Sequence, residues 1–248
     1  MTGPIASATG GAGRASLDPG EAGLLNPASV AHLQRYYFSG NYGFGNHERD
    51  GDMKQYGLLL ADGTEGNTFP GALSYTRRNL DYKGGGTEVQ SDINLSLAEF
   101  FSDHIAMGFA IHRQTNERNA IAGGGDHTQY NGHVGLMFTP FEYFGLGLVA
   151  YDVLPPRDGV PSGVRTVPTF ALGTNLIIQK ILYVRLDLVR PDLDNPNRRT
   201  NVMAGLDTYF REDLAARIGV MAKETTDQTF FTAGIGYKGP KLSFDYTY

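Results

Sequence analysis

The stretch IAMGFAIH, residues 105–112, indicates the fold class of this chain. Its large apolar side chains, Ile105, Met107, Phe109 and Ile111, occupy every second position, with small or polar residues between them. Side chains alternate across a β-strand, so this period of two predicts a strand with two unlike faces. No segment after residue 33 has the spacing of a helix. The same alternation recurs in residues 182–188, 201–207 and 242–248.

The alternation predicts an all-β chain with thirteen candidate strands. Tight turns such as Ser102-Asp103 and Gln179-Lys180 alternate with longer polar links such as Gln114–Thr128. Short turns at one rim and longer loops at the other are typical of antiparallel up-and-down barrels of the outer membrane. The candidate strands are 33–44, 53–61, 68–78, 88–100, 104–113, 129–139, 144–153, 164–177, 181–190, 200–209, 214–223, 229–238 and 241–248.

The two faces of these strands favour a transmembrane β-barrel over a soluble one. The second face is often Gly, Ala, Ser, Asn or a charged residue, which suits a narrow or watery lumen with apolar residues facing lipid. A soluble sandwich with one polar outer face would show the same alternation, so that alternative stays open. Aromatic residues also crowd the tight-turn ends, where an interfacial girdle would lie. They are Phe100, Phe101, Phe138, Phe141, Tyr143, Phe144, Tyr209, Phe210 and Tyr237.

Composition excludes several other classes of protein. The 248 residues include no Cys, which excludes a disulfide scaffold, a thiolate metal site and a Cys nucleophile. A net charge of −5 without a Lys/Arg cluster argues against a nucleic-acid partner. No apolar run reaches the roughly 18 residues that a transmembrane helix needs. The first residues also lack the basic and apolar regions of a signal peptide, so we expect no signal peptide in this chain, which is then either cytosolic or a mature form with a start Met added.

Residues 1–30 break the alternation and carry a resemblance to a known family. The stretch TGGAGRASLDPGEAGLLNPAS, residues 9–29, has a Gly-Ala-Gly segment, an acidic-Ala stretch and then Asn-Pro-Ala before the first strand. It resembles the N-terminal signature of FadL-type fatty-acid transporters and of their relatives, the PorV-type barrels of surface-secretion systems. Residues 214–220 and 244–248 are similar to the late strands of PorV-type barrels.

The resemblance implies a barrel of about 14 strands, 13 of them visible here, in the outer membrane of a Gram-negative cell and in contact with its lipid. It divides the chain into an N-terminal hatch or plug, residues 1–30, and a transmembrane barrel, residues 31–248. Because bacterial barrels usually have an even number of strands, we expect a closing strand after Tyr248 or from another segment. The competing interpretation is that Tyr248 ends an aromatic assembly signal. The expected hatch residues are Gly10, Gly11, Gly13, Asn26 and Pro27.

The function implied by the resemblance is passive transport of hydrophobic, fatty-acid-like small molecules. The alternative is a PorV-like plugged barrel that anchors or presents a surface or secretion-system protein. An enzyme is not expected, because no nucleophile, base and orienting group converge in the sequence. No cofactor is expected either.

Strand parity predicts a polar set that faces the lumen. Arg185 and Asp187 fall beside Asp207 and then Arg217 on neighbouring strands, which predicts ion pairs that brace the wall and hold the hatch; a polar gate is the alternative. Metal binding is not predicted, because His104 and His112 lie about 27 Å apart at roughly 3.4 Å per residue, and no closely spaced His/carboxylate pair replaces them. The predicted network consists of Asp92, Arg185, Asp187, Asp207, Arg217 and Asp245.

Overall fold

One antiparallel sheet of thirteen strands dominates the chain, and each strand pairs with its neighbours in chain order. This is an up-and-down topology, so the predicted all-β class and the thirteen strands are confirmed. No helix among the described residues is long and apolar enough to span a membrane. The structure, a computed structural model, describes residues 3–47, 51–64, 69–120, 124–155, 158–193, 195, 197–211, 213–224, 226–239 and 241–248.

The strands lie close to their predicted positions, with two clear departures. The strand predicted for residues 164–177 begins only at Thr169. Residues 114–128 were expected to form a polar link, but they extend a hairpin in which pairing continues to Arg118 and Gly125. Polar side chains can also line a paired ladder, as the 3.4 Å contact between the Thr115 and Thr128 hydroxyls shows. The strands are β1 (Tyr36–His47), β2 (Gly51–Asp62), β3 (Gly71–Asp81), β4 (Thr87–Ser102), β5 (Ile105–Asn119), β6 (Gly125–Phe141), β7 (Phe144–Tyr151), β8 (Thr169–Ile178), β9 (Leu182–Arg190), β10 (Asn201–Tyr209), β11 (Leu214–Lys223), β12 (Gln228–Lys238) and β13 (Ser243–Thr247).

The two faces of the sheet differ as the alternation predicts. On β5, Phe109 and Ile111 are 55% and 66% exposed, whereas the alternating Ala110 and His112 are buried. The exposed face is therefore apolar, which is the reverse of a soluble sandwich with a polar outer face. Its large exposed side chains include Phe38, Leu58, Ile93, Leu95, Leu186, Leu206, Ile218 and Phe231.

Residues 3–33, called here the N-terminal segment, cover the opposite face of the sheet, which we call the inner face. The segment contains α1 (Pro4–Ala8) and two 3-10 helices, Pro19–Glu21 and Pro27–His32. Val30 packs in a buried cluster that includes Leu59 of β2 and Ala106 of β5. Met1 and Thr2, which belong to the predicted 1–30 domain, lie outside the described residues.

The N-terminal segment reaches both ends of the sheet. α1 contacts β11, β12 and β13, and the 3-10 helix Pro19–Glu21 contacts β1 and β2. The sheet therefore curves around the segment. Within the described residues no strand pairing joins β1 to β13. The closing strand stays a prediction, and Tyr248 lies beside Ala233 of β12, with which it exchanges two backbone hydrogen bonds of 2.8 Å.

Candidate functional site

The glycines predicted for the hatch, Gly10, Gly11 and Gly13, lie against β9 to β12. Gly10 has a φ of +69°, a conformation that favours glycine, and a Cβ there would overlap the Val220 backbone of β11. The Gly10 N–H donates to the Thr232 hydroxyl at 2.9 Å. Gly11 also has a positive φ, of +86°. The backbone of the segment therefore lies in direct contact with the inner face of the sheet.

Asn26 and Pro27 fix the second half of the segment. The Asn26 carboxamide oxygen accepts the Ala28 N–H at 3.0 Å, which caps the 3-10 helix that Pro27 begins. Its Nδ2 donates to the Arg14 carbonyl at 2.9 Å and to the Leu136 carbonyl of β6 at 3.2 Å. Asn26 thus ties two parts of the segment to each other and to the wall.

Five of the six residues in the predicted lumen network lie close together on the inner face. The Arg185 guanidinium contacts Asp207 at 3.1 Å, and Arg217 contacts Asp207 at 3.2 Å and Asp245 at 2.6 Å. Gly236 of β12 has no side chain between Arg217 and Asp245, so that pair spans an intervening strand. The fifth residue, Asp187, is fully buried and pairs with the segment.

The segment supplies charges that sequence reasoning missed. Arg14 contacts Asp187 at 2.8 Å, and Asp18 contacts Arg185 at 2.8 Å. Arg14 and Asp18, four residues apart in the segment, therefore form ion pairs with two residues of β9 that are two positions apart. The only sequence signal was the acidic and basic residues of the 9–29 stretch, which has no period from which to place them.

Glu21 connects the middle of the segment to α1. Its carboxylate accepts the Ile5 N–H at 2.5 Å and the Ala6 N–H at 3.0 Å. Burial, with the nearby charge of Asp18, raises the pKa of Glu21 to about 7. The first and second helices of the segment are therefore connected through a carboxyl group that titrates near neutral pH.

Two cavities border the segment. The larger, of about 580 Å³, is bordered by Arg14, Leu24 and Leu25 of the segment and by inner-face residues of β2 to β9. The smaller, of about 390 Å³, is bordered by Ala15 and Leu17 and by the ends of β6 to β8 near the short turns. Arg14 and Ala15 are consecutive, so adjacent residues of the segment border the two cavities.

Asp92 lies apart from the rest of the predicted network, and the expectation that no closely spaced His/carboxylate pair exists is wrong. His112 Nδ1 is 2.7 Å from Asp92, and His112 Nε2 is 2.8 Å from Asp152. His133 stacks on His112 with a centroid separation of 4.4 Å. Close His/carboxylate pairs therefore exist; spacing along one strand did not reveal them because they form across strands.

The architecture matches solved structures, although no protein-family profile and no curated protein sequence matches the chain. The toluene transporter TbuX of Ralstonia pickettii superposes with a TM-score of 0.77 at 13% identity, over 99% of this chain and 92% of that one. A FadL homologue of Pseudomonas aeruginosa gives 0.70 at 12% identity, over 99% and 88%. The chain has the fold of the FadL-type transport barrels.

The FadL-type fold confirms the resemblance that the N-terminal signature suggested. Phospholipase A of the Escherichia coli outer membrane is a weaker likeness, with a TM-score of 0.51 at 11% identity over 86% of this chain and 98% of that one, and it shares only the fold. No secretion-system partner is supported by these likenesses.

Proposed function

We propose that this chain is an outer-membrane barrel of the Gram-negative type that lets hydrophobic small molecules cross passively. The observation that carries the proposal is the FadL-type fold, which it shares with a toluene transporter over 99% of its length. Toluene is the substrate named for that protein. For this chain we infer that the substrates are hydrophobic small molecules, and fatty-acid-like compounds are the narrower expectation.

The exposed face supports the membrane location. Large apolar side chains such as Phe38, Leu95, Ile218 and Phe231 are 41–82% exposed on the strands. In water such a surface would drive aggregation, whereas in a bilayer it contacts acyl chains. Phe101, Phe141 and Phe210 at the short turns are 57–80% exposed, as an interfacial girdle requires.

The N-terminal segment acts as the hatch in this proposal. It borders both the 580 Å³ cavity and the 390 Å³ cavity, and the Tyr151 hydroxyl holds it by donating to the Leu25 carbonyl. A ligand that passes from one cavity to the other must displace residues near Arg14, Ala15 and Leu25. Transport should therefore depend on movement of this stretch.

A reversible disulfide tests whether the hatch moves. A Cβ built on Gly145 of β7 lies 3.8 Å from the Ala15 Cβ, which matches the usual separation in disulfides. The chain has no other Cys, so the double variant Ala15→Cys/Gly145→Cys can form only this bond. Uptake of toluene and of a fatty acid is measured in outer-membrane vesicles or proteoliposomes, oxidised and then reduced.

We expect the oxidised double variant to lose uptake and the reduced form to regain it, with both single variants active in either condition. Uptake by the cross-linked barrel at the rate of its reduced form would contradict the hatch role. Absence of uptake in every form, including the unaltered chain in its native membrane, would instead contradict the transport function.

A further inference from the structure

Four titratable side chains, three from neighbouring strands and one from the connection after β7, meet in the wall of the larger cavity. His112 of β5 pairs in register with Asn94 of β4 and Asn131 of β6. Asp92 and His133 are each two residues from those partners, so both lie diagonally across from His112, within reach of its side chain. Asp152 follows the end of β7 directly. All four residues border the 580 Å³ cavity.

A neutral His112 side chain cannot donate a hydrogen bond to both of the carboxylates that it contacts. Its two ring nitrogens lie 2.7 and 2.8 Å from carboxylate oxygens of Asp92 and Asp152. A neutral imidazole has one N–H, and a carboxylate has only acceptors. One of the two contacts therefore needs a second proton or a metal ion between the nitrogen and the oxygen.

The arrangement around His112 suits the metal. With the proton on Nδ1, Asp92 accepts from Nδ1–H and the Nε2 lone pair is directed at Asp152. A carboxylate that orients a metal-binding imidazole in this way is the usual second contact of such a histidine. The ligand atoms of His112, His133 and Asp152 all lie within 4.8 Å of one another. Two imidazoles and one carboxylate form a set that binds zinc and other divalent transition metals.

Only a modest rearrangement would close this set around an ion. Metal–nitrogen and metal–oxygen bonds of about 2.0–2.2 Å place ligand atoms within roughly 4.4 Å of each other. Coordination by His133 Nδ1 would replace the hydrogen bond of 3.1 Å that this nitrogen accepts from the Asp152 amide. The side chains border the cavity, so there is space for this shift and for a water at the remaining position.

We propose that His112, His133 and Asp152 bind one divalent transition-metal ion in the wall of the larger cavity, with Asp92 orienting His112. The ion would join β5, β6 and the start of the long β7–β8 connection.

Calorimetric titration tests the site on the full-length, folded barrel, prepared without a histidine tag and treated with a chelator. Zn²⁺ and Ni²⁺ are added to the unaltered protein and to the variants His112→Gln, His133→Gln and Asp152→Asn. His104→Gln is the matched control, because this exposed histidine lies in the β4–β5 turn outside the cluster. Circular dichroism confirms that each variant is folded.

We expect one ion per chain in the unaltered protein and in His104→Gln, and no measurable binding in the three ligand variants. Asp92→Asn should weaken affinity about 10- to 100-fold, since it alters only the orienting contact. Affinity should fall with decreasing pH, because the metal competes with protons for imidazole.

Two results would overturn the proposal. One is a folded, unaltered barrel that binds neither ion, which would leave a proton as the bridge between His112 and Asp152. The other is equal binding by the unaltered protein and the His133→Gln and Asp152→Asn variants, which would place any bound metal elsewhere. If His112→Gln fails to fold, those two variants still decide the question.

Discussion

The contact between Asp187 and the N-terminal segment allows a quantitative prediction about the hatch. One carboxylate oxygen of Asp187 accepts the backbone N–H of Gly13 at 2.8 Å, the backbone N–H of Arg14 at 3.0 Å and Nη1 of Arg14 at 2.8 Å. The Asp187 side chain is fully buried and that of Arg14 nearly so. The substitution Asp187→Asn keeps the size of the side chain and removes its charge.

The expected cost follows from burial. Removing one partner of a buried ion pair leaves the other charge uncompensated and typically costs about 3–5 kcal/mol. If this cost falls on the closed position of the segment, opening becomes more frequent by roughly 100- to 4,000-fold, at about 1.4 kcal/mol per factor of ten. The amides of Gly13 and Arg14 should exchange with solvent faster by that factor.

Hydrogen exchange measured by mass spectrometry on the membrane-embedded protein reports this directly, in a peptide that spans Gly13 and Arg14. Asp245→Asn is the matched control, since it makes the same chemical change at a residue whose ion-pair partner, Arg217, belongs to the wall. Unchanged exchange of the segment in Asp187→Asn, or an equal increase in the control, would refute the view that Asp187 holds the hatch.

Two further predictions concern the segment and the outer face. Because burial raises the pKa of Glu21 from its ordinary 4.5 to about 7, the buried carboxyl stabilises the seated segment most below pH 4.5, and this contribution is lost as the pH rises through 7. The amides of Ile5 and Ala6, corrected for intrinsic exchange, should be more protected from exchange at acidic pH than above pH 7. The variant Glu21→Gln should remove this pH dependence. If the pH dependence persists in the variant, another group causes it. On the outer face, Ile218→Arg in the middle of β11 should destabilise the bilayer-inserted barrel by about 2–4 kcal/mol, whereas Phe210→Arg at the turn should cost about 0–1 kcal/mol. Denaturant unfolding from lipid vesicles measures both, and equal effects would argue against a lipid-facing β11.

The strands could be predicted from the sequence because each strand's signal is local. A period of two in residues 105–112 reports which side chains face lipid, and pairing in chain order then places Arg185 beside Asp207 and Asp207 beside Arg217. The same logic failed for polar hairpin ends such as residues 114–128, where no apolar face marks the strand.

The contacts of the segment could not be predicted, because they join residues far apart in the chain without any period. Arg14 and Asp187 are separated by 173 residues, and Asp18 carries no local sign that it meets Arg185. The histidine cluster was missed for a related reason. Distances along one strand exclude His104 with His112, but His133 approaches His112 from β6 and Asp152 approaches it from the connection after β7.

Small residues on the inner face explain how the segment can lie so close to the wall. A Cβ at Gly108, Gly147, Gly205 or Gly219 would overlap backbone or side-chain atoms of the segment. These strand glycines thus make room for the segment. They receive two blocks of it, Thr9–Arg14 and Asn26–Ala28.

The stretch between these two blocks, residues 15–25, includes the more exposed part of the segment, residues 16–20. Leu17 is 41% exposed, and Asp18 is only partly buried despite its ion pair with Arg185. This stretch also contains Leu17 and Leu25, which face different cavities. An opening that leaves both blocks in place must therefore move residues 15–25, and a bond at Ala15 pins one end of that stretch. The glycines of the inner face determine where the segment binds, and the ion pairs of Arg14 and Asp18 determine how easily its central part leaves the wall.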